Sequence, residues 1–103
     1  MISIVILTHN EAINIERCLA SVAWSDDVLL IDSGSTDGTP KLAEQLGARV
    51  MHRPFDNFAD QRNFALEKGQ LKHELVLHLD ADEVVSPELK NEMHHSMPTT
   101  YHL

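Results

Sequence analysis

The sequence predicts an α/β fold, a three-layer parallel sheet with helices on both faces, and three observations predict it. Short apolar runs rich in β-branched residues alternate with segments of helical spacing; the connections are short; and the polar residues gather directly after the apolar runs. Alternation of this kind is the signature of βαβ units with right-handed crossovers.

The first run, Ile2 to Leu7, is unbroken, as expected of a strand covered on both faces. Thr8-His9-Asn10-Glu11 ends it, and Asn10 or a neighbour caps a helix carrying Ile15, Leu19 and Val22. Trp24 to Asp27 is a polar break before a second strand, Val28 to Ile31, which runs into Asp32-Ser33-Gly34-Ser35-Thr36-Asp37-Gly38. Thr39-Pro40 reads as an N-cap followed by proline at the first helical position, where its missing N–H costs nothing. That helix stops at Gly47, a residue suited to a left-handed terminator. Ala48 to His52 is a third strand, Pro54 to Asn57 a loop, and Phe58 to Lys68 a helix ending at Gly69. Leu75 to Leu79 is a fourth strand, followed by Asp80-Ala81-Asp82-Glu83, and Ser86-Pro87 opens a last helix. Periodicity is lost from Met93, so residues 93–103 are expected to be a disordered or truncated tail.

Composition excludes several functions. The chain has 103 residues, 8 Lys+Arg against 16 Asp+Glu, and a formal net charge of −8. Such a balance carries no electrostatic footprint for nucleic acid, so none is expected as a partner. Hydrophobic residues make up 43 %, enough for one small core. No apolar run approaches the roughly 18 residues of a membrane helix. The N-terminus lacks a basic segment and reads as a strand, not a signal peptide. Cys18 is the only cysteine, which excludes an internal disulfide and fits a reducing compartment.

Parallel strands place the residues that follow them on one rim, where open α/β sheets bind ligands. Here that rim collects Thr8, His9, Asn10, Glu11, Asp32, Ser33, His52, Arg53, Asp80 and Asp82. Asp80-Ala81-Asp82 supplies hard oxygen donors of the kind that hold Mg²⁺ or Mn²⁺ with water and substrate phosphate; the alternative is a solvated pair capping the next helix. The loop after the second strand matches neither Gly-x-Gly-x-x-Gly nor a P-loop lysine pattern. Asp32 is placed to accept from a base N–H or a ribose hydroxyl, while Ser35, Thr36 and Asp37 read as turn and capping residues. Arg62 either faces the crevice, where it would bind phosphate or a base carbonyl, or pairs on the surface with Asp60 or Glu67. His9, His52 and His78 are assigned to core or rim packing, Cys18 to the core, and Trp24 and the phenylalanines to the core rather than to stacking platforms.

Four stretches in order carry a family resemblance. Ile4 to Glu11, Val28 to Gly38, Gln61-Arg62-Asn63 and Leu79-Asp80-Ala81-Asp82-Glu83 resemble the family 2 glycosyltransferases of GT-A fold. His52-Arg53-Pro54-Phe55 with Gln61 to Ala65 is similar to the bacterial lipopolysaccharide-core β-glucosyltransferase group. His9 stands where many members have Tyr, and Ser33 replaces the second Asp of a common Asp-Asp-Gly-Ser version.

The resemblance implies the N-terminal half of a GT-A fold, Rossmann-like, with residues 1–92 forming a nucleotide-sugar-binding half-domain. Thr8, Asn10 and Glu11 would line the nucleoside pocket, Asp32 would contact uracil or its ribose, and Arg62 would approach the base or diphosphate. Asp80 and Asp82 resemble the DxD motif, with Asp82 the stronger ligand of Mg²⁺ or Mn²⁺ and Asp80 nearer the ribose. The implied donor is a UDP-sugar, UDP-glucose in that group, and the implied acceptor a glycan or lipid-linked saccharide of the cell envelope. The general base belongs to a part of the fold beyond the DxD motif, so no catalytic residue is assigned and no transfer by this chain alone is expected. Cytoplasmic location is implied, with peripheral association of the parent enzyme at the inner face of the membrane. The alternative is a non-catalytic remnant that self-associates through an exposed sheet edge or binds a partner.

Overall fold

The run Ile2 to Leu7 has no polar face, and a strand without one must lie where both faces are covered. A computed structural model, describing residues 2–95 and 100–102, places it in the middle of a parallel sheet. The elements in chain order are β1 (Ile2–Thr8), α1 (Ala12–Ser21), β2 (Val28–Asp32), α2 (Thr39–Gln45), β3 (Arg49–His52), α3 (Phe58–Lys68), β4 (Leu75–Asp80), α4 (Pro87–His95) and β5 (Thr100–His102). The strand order is β3-β2-β1-β4-β5, every pair parallel. The chain therefore winds outward from β1 through β2 to β3, then returns to the far side of β1 with β4. That reversal makes β1/β4 a topological switch point.

Alternation along the strands feeds two cores, one on each face. Ile4, Ile6, Leu30, Leu77 and Leu79 pack with Ile15, Cys18, Leu19 and Val22 of the α1 segment and with Ala43 of α2; Leu89 of α4 joins them. Val5, Leu29, Ile31 and Val76 point the other way, onto Ala65, Phe64 and Leu71 in and after α3. Helices thus cover both faces, as the sequence predicts. Gly69 ends α3 where the backbone runs against Leu29; a Cβ there would collide with the Leu29 side chain and the Ala65 carbonyl. Gly47 ends the α2 turn with φ +96°, a conformation only glycine adopts without strain. No helix among the described residues is long and apolar enough to cross a membrane.

Two expectations need correction. Helix α2 begins at Thr39, with Gly38 (φ +86°) in the cap position. Thr39 is therefore one residue inside the helix, and its hydroxyl serves a neighbouring segment instead. The expected tail is also more ordered than its pattern. Helix α4 continues through His95, and residues 100–102 pair with β4 in the register Val76↔Thr100 to His78↔His102. A three-residue edge strand is held by backbone bonds and leaves no periodicity to read. The remainder of that stretch, 96–99 and 103, lies outside the described residues.

Candidate functional site

Register fixes what the rim can bring together. Thr8 pairs with Asp32, Asp32 with His52, and Leu7 with Asp80, so the ends of β1 to β4 lie level. Above them opens a cleft of about 880 Å³ whose lining runs from His52 and Arg53 through Asp32 and Ser33, then Thr8, His9 and Glu11, to Asp80 and Asp82. Of the residues assigned from sequence, Thr8, Glu11, Asp32, Asp80 and Asp82 share this one cleft, and Asn10 and Arg62 are not among its lining.

At the β4 end a tight turn (Glu83 N–H to Asp80 O, 2.9 Å) folds Glu83 back so that its carboxylate accepts the Asp80 N–H at 2.8 Å. Carboxylate oxygens of Asp80, Asp82 and Glu83 then lie within 4.8 Å of one another, with Asp80 and Asp82 exposed. Three hard, hydrated oxygen donors suit Mg²⁺ or Mn²⁺ chemistry rather than a soft metal. Glu83 was missed as a candidate, although it directly follows the Asp-Ala-Asp signal. Beneath the turn the Cys18 thiol is fully buried and lies 3.9 Å from the Asp80 carbonyl. Burial, reinforced by the Glu83, Asp82 and Glu11 carboxylates, pushes its pKa up to about 12, which makes it an inert core residue.

Asp32 forms the floor. It is 1 % exposed, yet its carboxylate takes the Thr8 hydroxyl (2.7 Å), the Ser35 hydroxyl (2.6 Å) and the Ser35 N–H (2.9 Å). Burial is the largest single influence on its pKa and pushes it up. The Ser35 and Thr8 bonds, with His52 nearby, together outweigh burial and hold the group below its ordinary value, so it is ionised. A carboxylate offers about four acceptor positions, so these three bonds leave room for about one ligand donor.

The loop after β2 does more than turn. Helix α1 receives no side-chain capping bond from its N-cap residue, Glu11; instead Glu11 N–H donates to Thr39 Oγ1 (3.0 Å) and Ala12 N–H to Asp37 Oδ2 (3.0 Å). Asn10, at φ +53°, donates its N–H to Ser35 Oγ (2.8 Å) and accepts the Thr36 N–H (2.8 Å). Asn10 is therefore a brace between two loops. The Thr39 hydroxyl bond and then the Ala12 N–H lower the Asp37 pKa, as befits a helix-capping anion. These donors at the α1 N-terminus already serve protein acceptors.

At the β3 end the arginine facing the cleft is Arg53. It bonds Asp56 (2.9 and 3.3 Å) and Gln61 Oε1 (2.6 Å) and lies over the Phe64 ring. Arg62 instead lies over the Phe58 ring, 5.5 Å from its centroid, with its Nε buried and without a hydrogen-bond partner among the described residues. The core assignment of the phenylalanines also needs correction. Phe55 and Phe58 are 50 % and 54 % exposed, meet edge to face at 5.0 Å, and line the cleft. The three histidines divide: His78 is buried in β4, whereas His9 and His52 are exposed on the cleft.

Comparison with known proteins gives this geometry a lineage. A protein of Rickettsia bellii named as an uncharacterized glycosyltransferase is 43 % identical over 93 residues, covering 89 % of this chain and 31 % of that protein. The lipopolysaccharide core biosynthesis glycosyltransferase LpsC of Rhizobium meliloti is 32 % identical over 94 residues, covering 86 % of this chain and 34 % of its own length. Among solved structures, glucosyl-3-phosphoglycerate synthase from Mycobacterium tuberculosis, in complex with Mn²⁺, UDP-glucose and phosphoglyceric acid, superposes with a TM-score of 0.61. It is 30 % identical, with 79 % of this chain and 33 % of that one covered. The chain thus spans about a third of the length of the proteins it matches. The glycosyl transferase family 2 model matches residues 3–99, and the chain belongs to that family.

Proposed function

We propose that residues 1–92 bind a nucleoside diphosphate sugar of the UDP-glucose class together with Mg²⁺ or Mn²⁺, as the donor-binding part of an inverting glycosyltransferase. The observation that carries this reading is the gathering of Asp80, Asp82 and Glu83 at the β1/β4 switch point, on the same cleft as the ionised Asp32. Asp82 and Asp80, supported by Glu83, hold the cation, and Asp80 also faces the ribose. A cation bound there supplies charge neutralisation at the departing diphosphate. Thr8 and Glu11 border the nucleoside, and the free acceptor position of Asp32 takes a base N–H or ribose hydroxyl. Asn10 and Arg62 act through the loops and the ring they support. No residue of this chain is given the role of general base, so we expect no sugar transfer from UDP-glucose by these 103 residues alone. Similarity to LpsC, named for lipopolysaccharide core biosynthesis, supports an acceptor in the cell envelope.

The test is thermal melting with UDP, with and without Mn²⁺. A ligand that binds only the native state raises the melting temperature, by an amount that grows with concentration above Kd. The expected result is a rise with UDP that is larger with Mn²⁺, the increment vanishing in Asp82→Ala. No rise at millimolar ligand in a folded sample overturns the reading. A second reading, self-association, is favoured by one observation: Ile13, in the first turn of α1, is 91 % exposed. Sedimentation at micromolar concentration decides it, a monomer counting against.

A further inference from the structure

The acidic turn after β4 is fastened to α1 at both of its ends. From that geometry we infer that Ser21 is the positioning residue of the turn, holding the Asp82 and Glu83 carboxylates in place for a divalent cation. This rests on the cation part of the reading above and names a residue that acts on the site without touching it. Three carboxylates whose oxygens lie within 4.8 Å of one another repel, and Asp80 and Asp82 are exposed. A free turn would spread such charges apart, so residues 80–85 need an anchor outside themselves.

The hydrogen bonds identify it. At one end of the turn the Asp80 carbonyl accepts the Glu83 N–H and lies 3.9 Å from the Cys18 thiol. At the other end the Val85 N–H donates to Ser21 Oγ at 3.0 Å. Ala81 and Val85 are buried in the core with Ile15, Cys18, Leu19 and Val22, whereas Asp82 between them is exposed. The Ser21 oxygen has little freedom. Its own proton goes to the Cys18 carbonyl (2.7 Å), which leaves its lone pairs to face the Val85 N–H. The Ser21 carbonyl in turn accepts the Trp24 indole N–H at 2.9 Å. A thiol is a weak donor, and the Asp80 carbonyl already has the Glu83 N–H, so the stronger constraint is the one at Ser21. Helix α1 is anchored at its other end by Asp37 and Thr39, in the loop whose Ser35 bonds Asp32. One helix therefore joins the cation site to the Asp32 floor, and Ser21 is where it grips the acidic turn.

Mn²⁺ titrated into the chain, followed by loss of the free-ion electron paramagnetic resonance signal, tests this. Ser21→Ala should weaken Mn²⁺ binding about tenfold, the low end of what losing an outer partner of a metal ligand costs. Ser21→Thr keeps the hydroxyl and should restore the parent affinity. Ser3→Ala is the control for a merely structural role. It removes a buried hydroxyl that donates to Asp27 at 2.6 Å and accepts the His73 N–H at 3.1 Å, at the other end of the sheet. That variant should melt earlier than the parent and bind Mn²⁺ as well. Should Ser21→Ala fail to fold, Ser21→Cys keeps the shape with a sulfur that accepts only weakly, and it too should lose Mn²⁺ affinity. Unchanged affinity in the folded alanine or cysteine variant overturns the positioning role and leaves the cation site standing. An equal loss in Ser21→Thr or in Ser3→Ala does the same. A parent chain that binds no Mn²⁺ at millimolar concentration removes the cation reading, and this inference with it.

Discussion

The two ends of the sheet hold carboxylates in opposite ways. At the amino end Asp27, 2 % exposed, accepts the Ser3 hydroxyl (2.6 Å), the Lys72 N–H (2.7 Å) and the Arg49 guanidinium (2.9 Å). Ser3 Oγ in turn accepts the His73 N–H, and His73 meets Asp26 at 2.6 Å. That network ties β1, β2, β3 and the segment before β4 together, and its central charge is compensated within the protein. At the carboxyl end Asp80 and Asp82 are exposed and cluster with a third carboxylate. Polar groups fully paired inside a fold serve its stability. Like charges held close and left to solvent cost stability, and their place in the cleft is where a ligand can repay it.

The largest effect expected from this contrast is at Asp27. Asp27→Ala leaves the buried Ser3 hydroxyl and Lys72 N–H without their acceptor and the Arg49 charge without its partner. Breaking such a buried pair costs about 3 kcal/mol, toward the low end because Arg49 is half exposed and can rehydrate. For a domain of this size that lowers Tm by on the order of 15 °C. Differential scanning calorimetry measures it, and at a temperature where the variant is folded its UDP affinity should equal the parent's. A Tm drop of only a degree or two would refute a stabilising role for the Asp27 network.

Acid sharpens the comparison further. Burial pushes the Asp27 pKa up, but the Ser3, Lys72 and Arg49 bonds together hold it below its ordinary 3.8; Asp32 is lowered by the same competition. A group with a depressed folded pKa contributes stability that is complete above the unfolded value and is lost as pH falls through the folded one. Urea midpoints should therefore hold level down to about pH 4 and drop below it. In Asp27→Asn that drop should be shallower, because one of the carboxylates that must protonate is gone. An identical slope in the two chains would show that Asp27 does not set the acid limit.

How much of this was legible in the sequence differs between the same two ends. Strands β1, β2 and β4 were plain because apolar runs without alternation admit few other placements, and α3 was bounded by Asn57 and Gly69. The acidic pair was legible because it directly follows a buried strand. The face of α3 was not. Phe58, Ala65 and Leu66 suggest its buried stripe, yet Phe58 and Leu66 are exposed and the buried positions are Ala65 and the polar Gln61. Gln61 is accommodated there because its amide bonds Arg53 at both ends, a pairing across the β3–α3 loop that no local pattern announces. The same blindness to long-range partners hid the capping of α1 by Asp37 and Thr39.

The smallest effect is the one whose sign matters most. In Asp82→Asn one of three neighbouring carboxylates is neutralised. Two unit charges 4.8 Å apart in water repel by about 0.9 kcal/mol before salt, and exposed charges are further screened at physiological ionic strength. Without divalent cation the variant should therefore be slightly more stable than the parent, by roughly 0.5 kcal/mol or a few degrees. With millimolar Mn²⁺ the order should invert, since the parent gains by binding and the variant has lost a charged ligand. Paired melting curves with EDTA and with Mn²⁺ check both signs at once. A variant less stable than the parent in EDTA would mean that Asp82 holds the fold together like Asp27, and the division of labour between the two ends would then fail.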